Sequence, residues 1–170
     1  MTTVVGEQLY AQRVLSDKNE WLALSGQDLG VSRPFTITQN DVNLFGAVTR
    51  DSQWIHIDPR RAKESSPFGG TIAHGFYTLS LATSLLFSVI EVDRNTTTIV
   101  NCGLNELKFL NPVPVGSQIQ LAVRVDSVVP KRSGVFVTFG LEMRVLDGQG
   151  DYKSAFVAQL VFLYVDAVQL

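Results

Sequence analysis

Cysteine is all but absent: Cys102 is the one thiol in a chain of 170 residues. An internal disulfide is therefore excluded, and the chain fits a reducing compartment. Histidine is nearly as scarce, with only His56 and His74, so any imidazole chemistry must use one of these two. Neither sign of charge dominates: 14 Lys and Arg stand against 16 Asp and Glu, a formal net charge of −2. That balance leaves no electrostatic footprint for nucleic acid or an anionic membrane. Met1 to Tyr10 lacks a charged segment followed by a long apolar run, so the expected location is the cytoplasm. Charge is missing altogether from Ser65 to Ile90.

What is present is an ordinary globular composition, 45% hydrophobic and 18% charged. The length predicts a single domain spanning 1–170, with 1–30 as a lead-in, and is enough to bury a real core. The uncharged run is the segment the rest is built around. After Gly75 it is apolar on every side, diluted only by hydroxyls and small residues, which predicts a helix buried all round. Thr71 to Ile90 as one helix would reach about 30 Å, close to a bilayer's hydrocarbon thickness. His74-Gly75 inside the run, its Ser/Thr content and the lack of close basic flanks argue against a membrane span. The expectation is a long central helix wrapped by a sheet.

Flanking signals fill in the rest. Leu22 to Gly30 reads as a loop or short helix and Phe35-Thr36-Ile37-Thr38 as a short strand. Thr38, three residues before Asp41, predicts a capping box for a helix through Val48, with Val42, Phe45 and Val48 inward. Asp58-Pro59 predicts an N-cap followed by proline in the first turn. Downstream, a change of phase around Asn105-Glu106, beside Gly103, predicts a bulge. Ile119 to Asp126 and Val135 to Val145 alternate with period 2. Asp147-Gly148 is a hairpin signal. The nearly continuous apolar run from Ser154 to Val165 predicts a strand covered on both faces. A helix followed by an antiparallel meander is an α+β class.

Asp51 and His56 are the first candidates for chemistry. On a regular helix their spacing sets them about 140° apart, and on a strand it puts them on opposite faces. They converge only if Ser52 to Ile55 form an irregular turn; otherwise they are a surface Asp beside a loop His. Gly75, in the first turn of the central helix, offers a backbone N–H that no Cβ shields, at the electropositive end. An oxyanion donor of that kind is worth roughly 3–4 kcal/mol in a transition state. Close packing explains Gly75 equally well. His74 reads as a structural histidine bonded to backbone at the helix start, Asp58 as a cap, Trp54 as packing, and Cys102 as a buried thiol.

Asp51-Ser-Gln-Trp-Ile-His-Ile-Asp-Pro-Arg-Arg-Ala62, followed by Phe68-Gly-Gly-Thr-Ile-Ala-His-Gly75, resembles the hydratase signature of MaoC-like dehydratases. The likeness is strongest to the branch of nodulation-protein-N-like proteins and small (R)-specific enoyl-CoA hydratases. Gly103 to Gly116 fits the same branch, and the similarity covers roughly residues 30–165. The resemblance implies a hotdog fold, an antiparallel sheet around a long central helix, usually dimeric with the site near the subunit interface. It implies syn hydration of a trans-2-enoyl-CoA to an (R)-3-hydroxyacyl-CoA, or the reverse. Asp51 and His56 would act as the acid/base pair on a water, and the Gly75 N–H would bind the thioester oxygen. Phe76, Thr83 and Leu86 are candidates to line an acyl pocket, with core packing as the alternative. Arg60, Arg61, Lys63, Lys131 and Arg132 are candidates for the CoA phosphates, or solvated charges. The expected partner is a second copy of the chain, and no metal or redox cofactor is needed.

The chain departs from the family at Arg50, where many relatives have Gly, and at Gln53-Trp54, where Asn-Pro is frequent. A cation beside Asp51 would weaken it as a base if the two paired; the expectation is that Arg50 faces solvent. Two alternatives share the fold. A thioesterase needs a carboxylate or activated water on the central helix, which has no Asp or Glu before Glu91. A catalytically inactive acyl-thioester-binding protein is the other.

Overall fold

Residues 13–15, 18–93, 95, 97–132, 134–146 and 151–166 are described by the structure, a computed structural model. Strand β1 (Arg13–Leu15) and helix α1 (Lys18–Ala23) precede β2 (Asp28–Val31) and β3 (Phe35–Thr36). Then come helices α2 (Gln39–Thr49), α3 (Trp54–Ile57), α4 (Pro59–Ser65) and α5 (Gly75–Leu86). Strands β4 (Ile90–Val92), β5 (Thr97–Phe109), β6 (Gln118–Lys131), β7 (Gly134–Leu146) and β8 (Tyr152–Asp166) complete the order.

The main sheet runs β2-β6-β7-β8-β5, with β3 also paired to β6, and all of its pairings are antiparallel. Its inner face is the alternation read from the sequence: Ile119, Leu121, Val123 and Val125 on β6 and Val135, Val137, Phe139, Leu141 and Met143 on β7 are buried. These side chains pack with Tyr77, Ala82, Leu85 and Leu86 of α5 in one core. A sheet curled on a helix buries one face of each, which is the expected α+β arrangement.

Local signals explain the helices around the site. Both bonds of the Thr38–Asp41 capping box start α2, and Asp58 Oδ1 accepts the Arg61 N–H at 3.0 Å with Pro59 in the first turn of α4. The predicted bulge is real: register shifts fall between Asn101 and Gly103 and between Leu104 and Glu106.

Several expectations are corrected. The central helix is 12 residues, about 18 Å. It ends at Leu86 in tight turns, Ser88 N–H to Leu85 O and Val89 N–H to Leu86 O, because Ile90 is drawn into a pairing of β4 with β1. Nor is α5 buried all round: Phe76 is 66% exposed, and Ser80 and Ser84 face out. On α2, Val42 and Gly46 face the core while Val48 is 84% exposed. On β8 alternate residues from Phe156 to Tyr164 are buried while Val157 is exposed, so this stretch has one covered face; both faces are buried only near the strand's ends, at Ala155-Phe156 and Tyr164-Val165. Cys102 is exposed on β5. The Asp147-Gly148 hairpin signal lies outside the described residues. Among the described residues no helix is long and apolar enough to cross a membrane.

Candidate active site

Asp51, Ser52 and Gln53 form the irregular turn on which convergence depends. Helix α2 ends with Arg50 in the left-handed region, φ +62°, which reverses the chain. The Gln53 N–H then donates to Asp51 Oδ1 at 3.4 Å, and the His56 N–H to the Gln53 carbonyl at 3.0 Å, starting α3. The short helix turns His56 inward and buries it, while the Asp51 side chain stays 53% exposed. Nitrogen and oxygen atoms of Asp51, His56 and His74 lie within 4.8 Å of one another. The acid and the imidazole that sequence spacing alone left apart are thus brought together.

The His56 ring is oriented by backbone. Its Nδ1 is 2.7 Å from the Ile72 carbonyl oxygen; a carbonyl only accepts, so Nδ1 carries the proton and Nε2 keeps its lone pair. Burial pushes the His56 pKa below its ordinary value. The Ile72 hydrogen bond opposes that shift, nearby His74 adds to it, and the Asp51 charge opposes it. The result is a neutral base with one open nitrogen.

His56 and Gly75 line the same cavity of about 430 Å³, along with Phe76, Thr78, Phe109 and Pro112. His74 is the N-cap of α5, and its carbonyl accepts the N–H groups of Tyr77 and Thr78. Gly75 therefore sits in the first turn, where N–H groups have no partner within the helix and the helix dipole favours negative charge. A Cβ on Gly75 would stand 3.0 Å from the Phe109 ring, so the glycine keeps this end of the helix open. A larger hollow of about 500 Å³ lies on the outer face of the sheet among Asp28, Lys108, Arg124 and Glu142. It contains neither histidine and lies away from the α5 N-terminus.

The softer candidates separate. Phe76 and Thr83 line one groove beside β5. They are seven residues apart and share a helical face, whereas Leu86 is turned about 80° further round. Leu86 is fully buried in the core and lines neither the cavity nor that groove. Arg50 is exposed, as expected, and forms no ion pair with Asp51 among the described residues. Its φ explains why glycine suits that position. The Arg61 guanidinium stacks 4.5 Å from the Trp54 ring.

Sequence reasoning missed Gln39, Thr71 and Gly46. Gln39 Nε2 donates to the His56 carbonyl at 2.7 Å, and Gln39 Oε1 accepts from the Thr71 hydroxyl at 2.6 Å. Together they tie the Asp51–His56 connection to the strand-like segment entering α5. Nothing in the pattern around Gln39 marks it. Gly46 did carry a signal, as a glycine inside a helix. A Cβ there would meet the Asp51 carbonyl oxygen at 2.9 Å.

Asp51, His56 and His74 are also the set among the described residues spaced to hold a metal ion. His56 Nδ1 and His74 Nε2 both donate to backbone carbonyls, so the free lone pairs are those of His56 Nε2, the carboxylate and the unbonded His74 Nδ1. The set is one ligand short of a closed four-coordinate site.

Residues 22–145 match the family described as MaoC like domain. The chain is 41% identical over 144 residues to 3-hydroxyacyl-thioester dehydratase Z of Mycobacterium tuberculosis, covering 84% of this chain and 92% of that one. Nodulation protein N of Rhizobium meliloti is 40% identical over 116 residues, 68% of this chain and 72% of the relative. Among solved structures, unliganded R-hydratase PhaJ1 from Pseudomonas aeruginosa superimposes with a TM-score of 0.62 at 24% identity, covering 86% of this chain and 88% of that one. At that identity the likeness speaks to the fold, the hotdog arrangement of sheet and central helix.

Proposed function

Since the chain belongs to the MaoC-like dehydratase family, we propose that it is a hydro-lyase. It adds water to trans-2-enoyl-CoA to give (R)-3-hydroxyacyl-CoA, or removes it in reverse. The observation that carries this reading is the meeting of the Asp51 carboxylate and the His56 imidazole, with His56 sharing a cavity with Gly75. The names of the dehydratase and hydratase relatives support the reaction class.

Each group has a distinct part. Water bound between the pair donates one hydrogen to the Asp51 carboxylate, which only accepts, and the other to His56 Nε2. As the oxygen bonds to the β-carbon, Nε2 takes that proton and the electron pair moves toward the thioester oxygen. The Gly75 N–H, aided by the α5 dipole, stabilises the charge gathering there. The proton on Nε2 then passes to the α-carbon from the same face. That accounts for syn addition and leaves His56 neutral again. General acid–base help of this kind contributes about 10²–10⁴-fold. The addition changes no net oxidation state and needs no redox partner.

The proposed partner is a second copy of the chain. In support, β5 pairs with β8 on one side only among the described residues. Its free edge carries exposed Val100, Leu104 and Phe109, near exposed Phe76, the kind of edge that demands covering.

The decisive experiment follows the loss of the enoyl-thioester absorbance with crotonyl-CoA and longer enoyl-CoAs. Wild type is expected to be active, and Asp51→Asn and His56→Ala to lose at least about a hundredfold in kcat. Unimpaired variants beside an active wild type would remove both assigned roles. Thiol release without hydration would favour a thioesterase.

A further inference from the structure

One buried side chain, that of the residue preceding Gly75, touches both Asp51 and His56 and takes no part in the proton transfers. We infer that His74 is a positioning residue whose Nε2–H bond to the Asp51 backbone and stacked ring set the distance between the carboxylate and the His56 imidazole. The inference rests on the reaction proposed above for its consequence in turnover, and on geometry alone for its structural part.

His74 Nε2 lies 3.0 Å from the Asp51 carbonyl oxygen. Since that oxygen can only accept, the ring proton is on Nε2, and the bond pins the peptide that leads into the Asp51 turn. The Asp51 carboxylate Oδ2 stands further off, 3.9 Å from the same nitrogen. The ring is stacked on His56, with centroids 3.9 Å apart and planes inclined by 29°. His74 is also the N-cap of α5, so its backbone orients the first-turn N–H groups including that of Gly75. Nδ1 is buried and has no hydrogen-bond partner among the described residues. A ring serving merely as a polar plug would be expected to satisfy both nitrogens. Here one bond is made, and it goes to the reacting acid's own residue.

Two features show that the contact is built for closeness. Gly46 of α2 leaves room for it: a Cβ there would come within 3.5 Å of His74 Cε1 and 2.9 Å of the Asp51 carbonyl oxygen. Phe45 closes the ring from the same helix, centroid to centroid 5.2 Å. The imidazole is thus held between α2 and His56 with little freedom to tilt. A displacement of about 1 Å between reacting groups lowers turnover by about a hundredfold, so a bond that fixes the Asp51 peptide acts on kcat rather than on substrate affinity.

The test compares two amides of different reach. His74→Gln places an N–H near the position of Nε2, while His74→Asn places it near Nδ1, too short to meet the Asp51 carbonyl. Expected is kcat within about threefold of wild type for Gln and at least tenfold lower for Asn, with KM within about threefold in both. Melting temperatures of the two variants report folding. Equal kcat for Gln and Asn, or a fall that merely tracks the loss of folded protein, overturns the inference. Amide hydrogen exchange at His56 N–H, bonded to the Gln53 carbonyl, is followed in parallel. It is expected to be at least tenfold faster in the Asn variant than in the Gln variant; indistinguishable rates overturn the inference even if the wild type proves inactive on enoyl-CoA. Wild-type inactivity with unequal exchange would instead remove the proposed reaction and leave the positioning role standing.

Discussion

The His56 and His74 imidazoles are stacked 3.9 Å apart, and each gives one N–H to a backbone carbonyl, His56 to Ile72 and His74 to Asp51. Burial above all, and the neighbouring ring to a lesser degree, disfavour protonation of His56, which leaves its Nε2 open.

That relationship sets a pH dependence. His56 is pushed below its ordinary value of 6.5, chiefly by burial. Activity is therefore expected to hold as pH falls from 7.5 through 6.5 and to decline with a midpoint below it. Stability follows the same sign: the unfolded chain takes up its proton near 6.5 and the folded one only at lower pH. Stability is then fully present above about 6.5 and is lost as pH falls toward the depressed value. A pH profile of kcat/KM and urea midpoints at pH 7.5 and 5.5 check both. An activity midpoint above 6.5 would contradict the neutral base.

Gly46→Ala tests the packing of α2 on the Asp51 turn. Helix propensity alone favours alanine by about 1 kcal/mol. The added Cβ would nevertheless meet a backbone oxygen at 2.9 Å, which a rotamer change cannot relieve. We expect a net destabilisation of about 1–3 kcal/mol together with a fall in kcat. Urea denaturation and turnover measured on the same preparation decide it, and a more stable variant would be the contrary result.

Arg50→Gly should move the other way. The left-handed conformation costs an L-residue about 1–2 kcal/mol, and glycine's greater freedom when unfolded returns about 0.5–1. The expected gain is about 0.5 kcal/mol, seen as a raised Tm. Arg50 makes no ion pair with Asp51 among the described residues, so kcat is expected to stay within about twofold. A large change in kcat would mean that the guanidinium acts on the acid after all.

Tyr164 lies deep in the core against Trp21, with centroids 4.1 Å apart. Its hydroxyl is buried without a hydrogen-bond partner among the described residues, and burial pushes the phenol far above its ordinary pKa. Tyr164→Phe removes the unpaired oxygen and keeps the ring, with an expected gain of about 1 kcal/mol. Thermal melts would show it, and a loss of stability would reveal a partner for the oxygen.

Local order was largely legible in the chain. Thr38 and Asp41, Asp58 and Pro59, and the alternation along β6 and β7 each bond or pack within a few residues or along one strand, so pattern suffices. Val48 misled because helical period says which residues share a face, not how wide the buried stripe is. Here Gly46 takes the place at the interface where close approach is needed. Strand β2 went unread because its alternation lasts only the four residues Asp28–Val31, too short a run to stand out, and its bonds go to the distant β6.

By itself the sequence determined which groups exist to do chemistry: one acid and one imidazole five residues apart, and a glycine opening an uncharged helix. It also determined that this helix would lie against the sheet, although one side of it, with Phe76, Ser80 and Ser84, stays exposed. Only the tertiary structure decided that the acid would meet the imidazole and that the imidazole would share a cavity with the glycine. The segment entering α5 is held by Ala73 N–H to the Val113 carbonyl and Val115 N–H to the Thr71 carbonyl, and it presents the Ile72 carbonyl to His56. Those are backbone bonds between distant parts of the chain, and no side-chain periodicity encodes which carbonyl an imidazole will find.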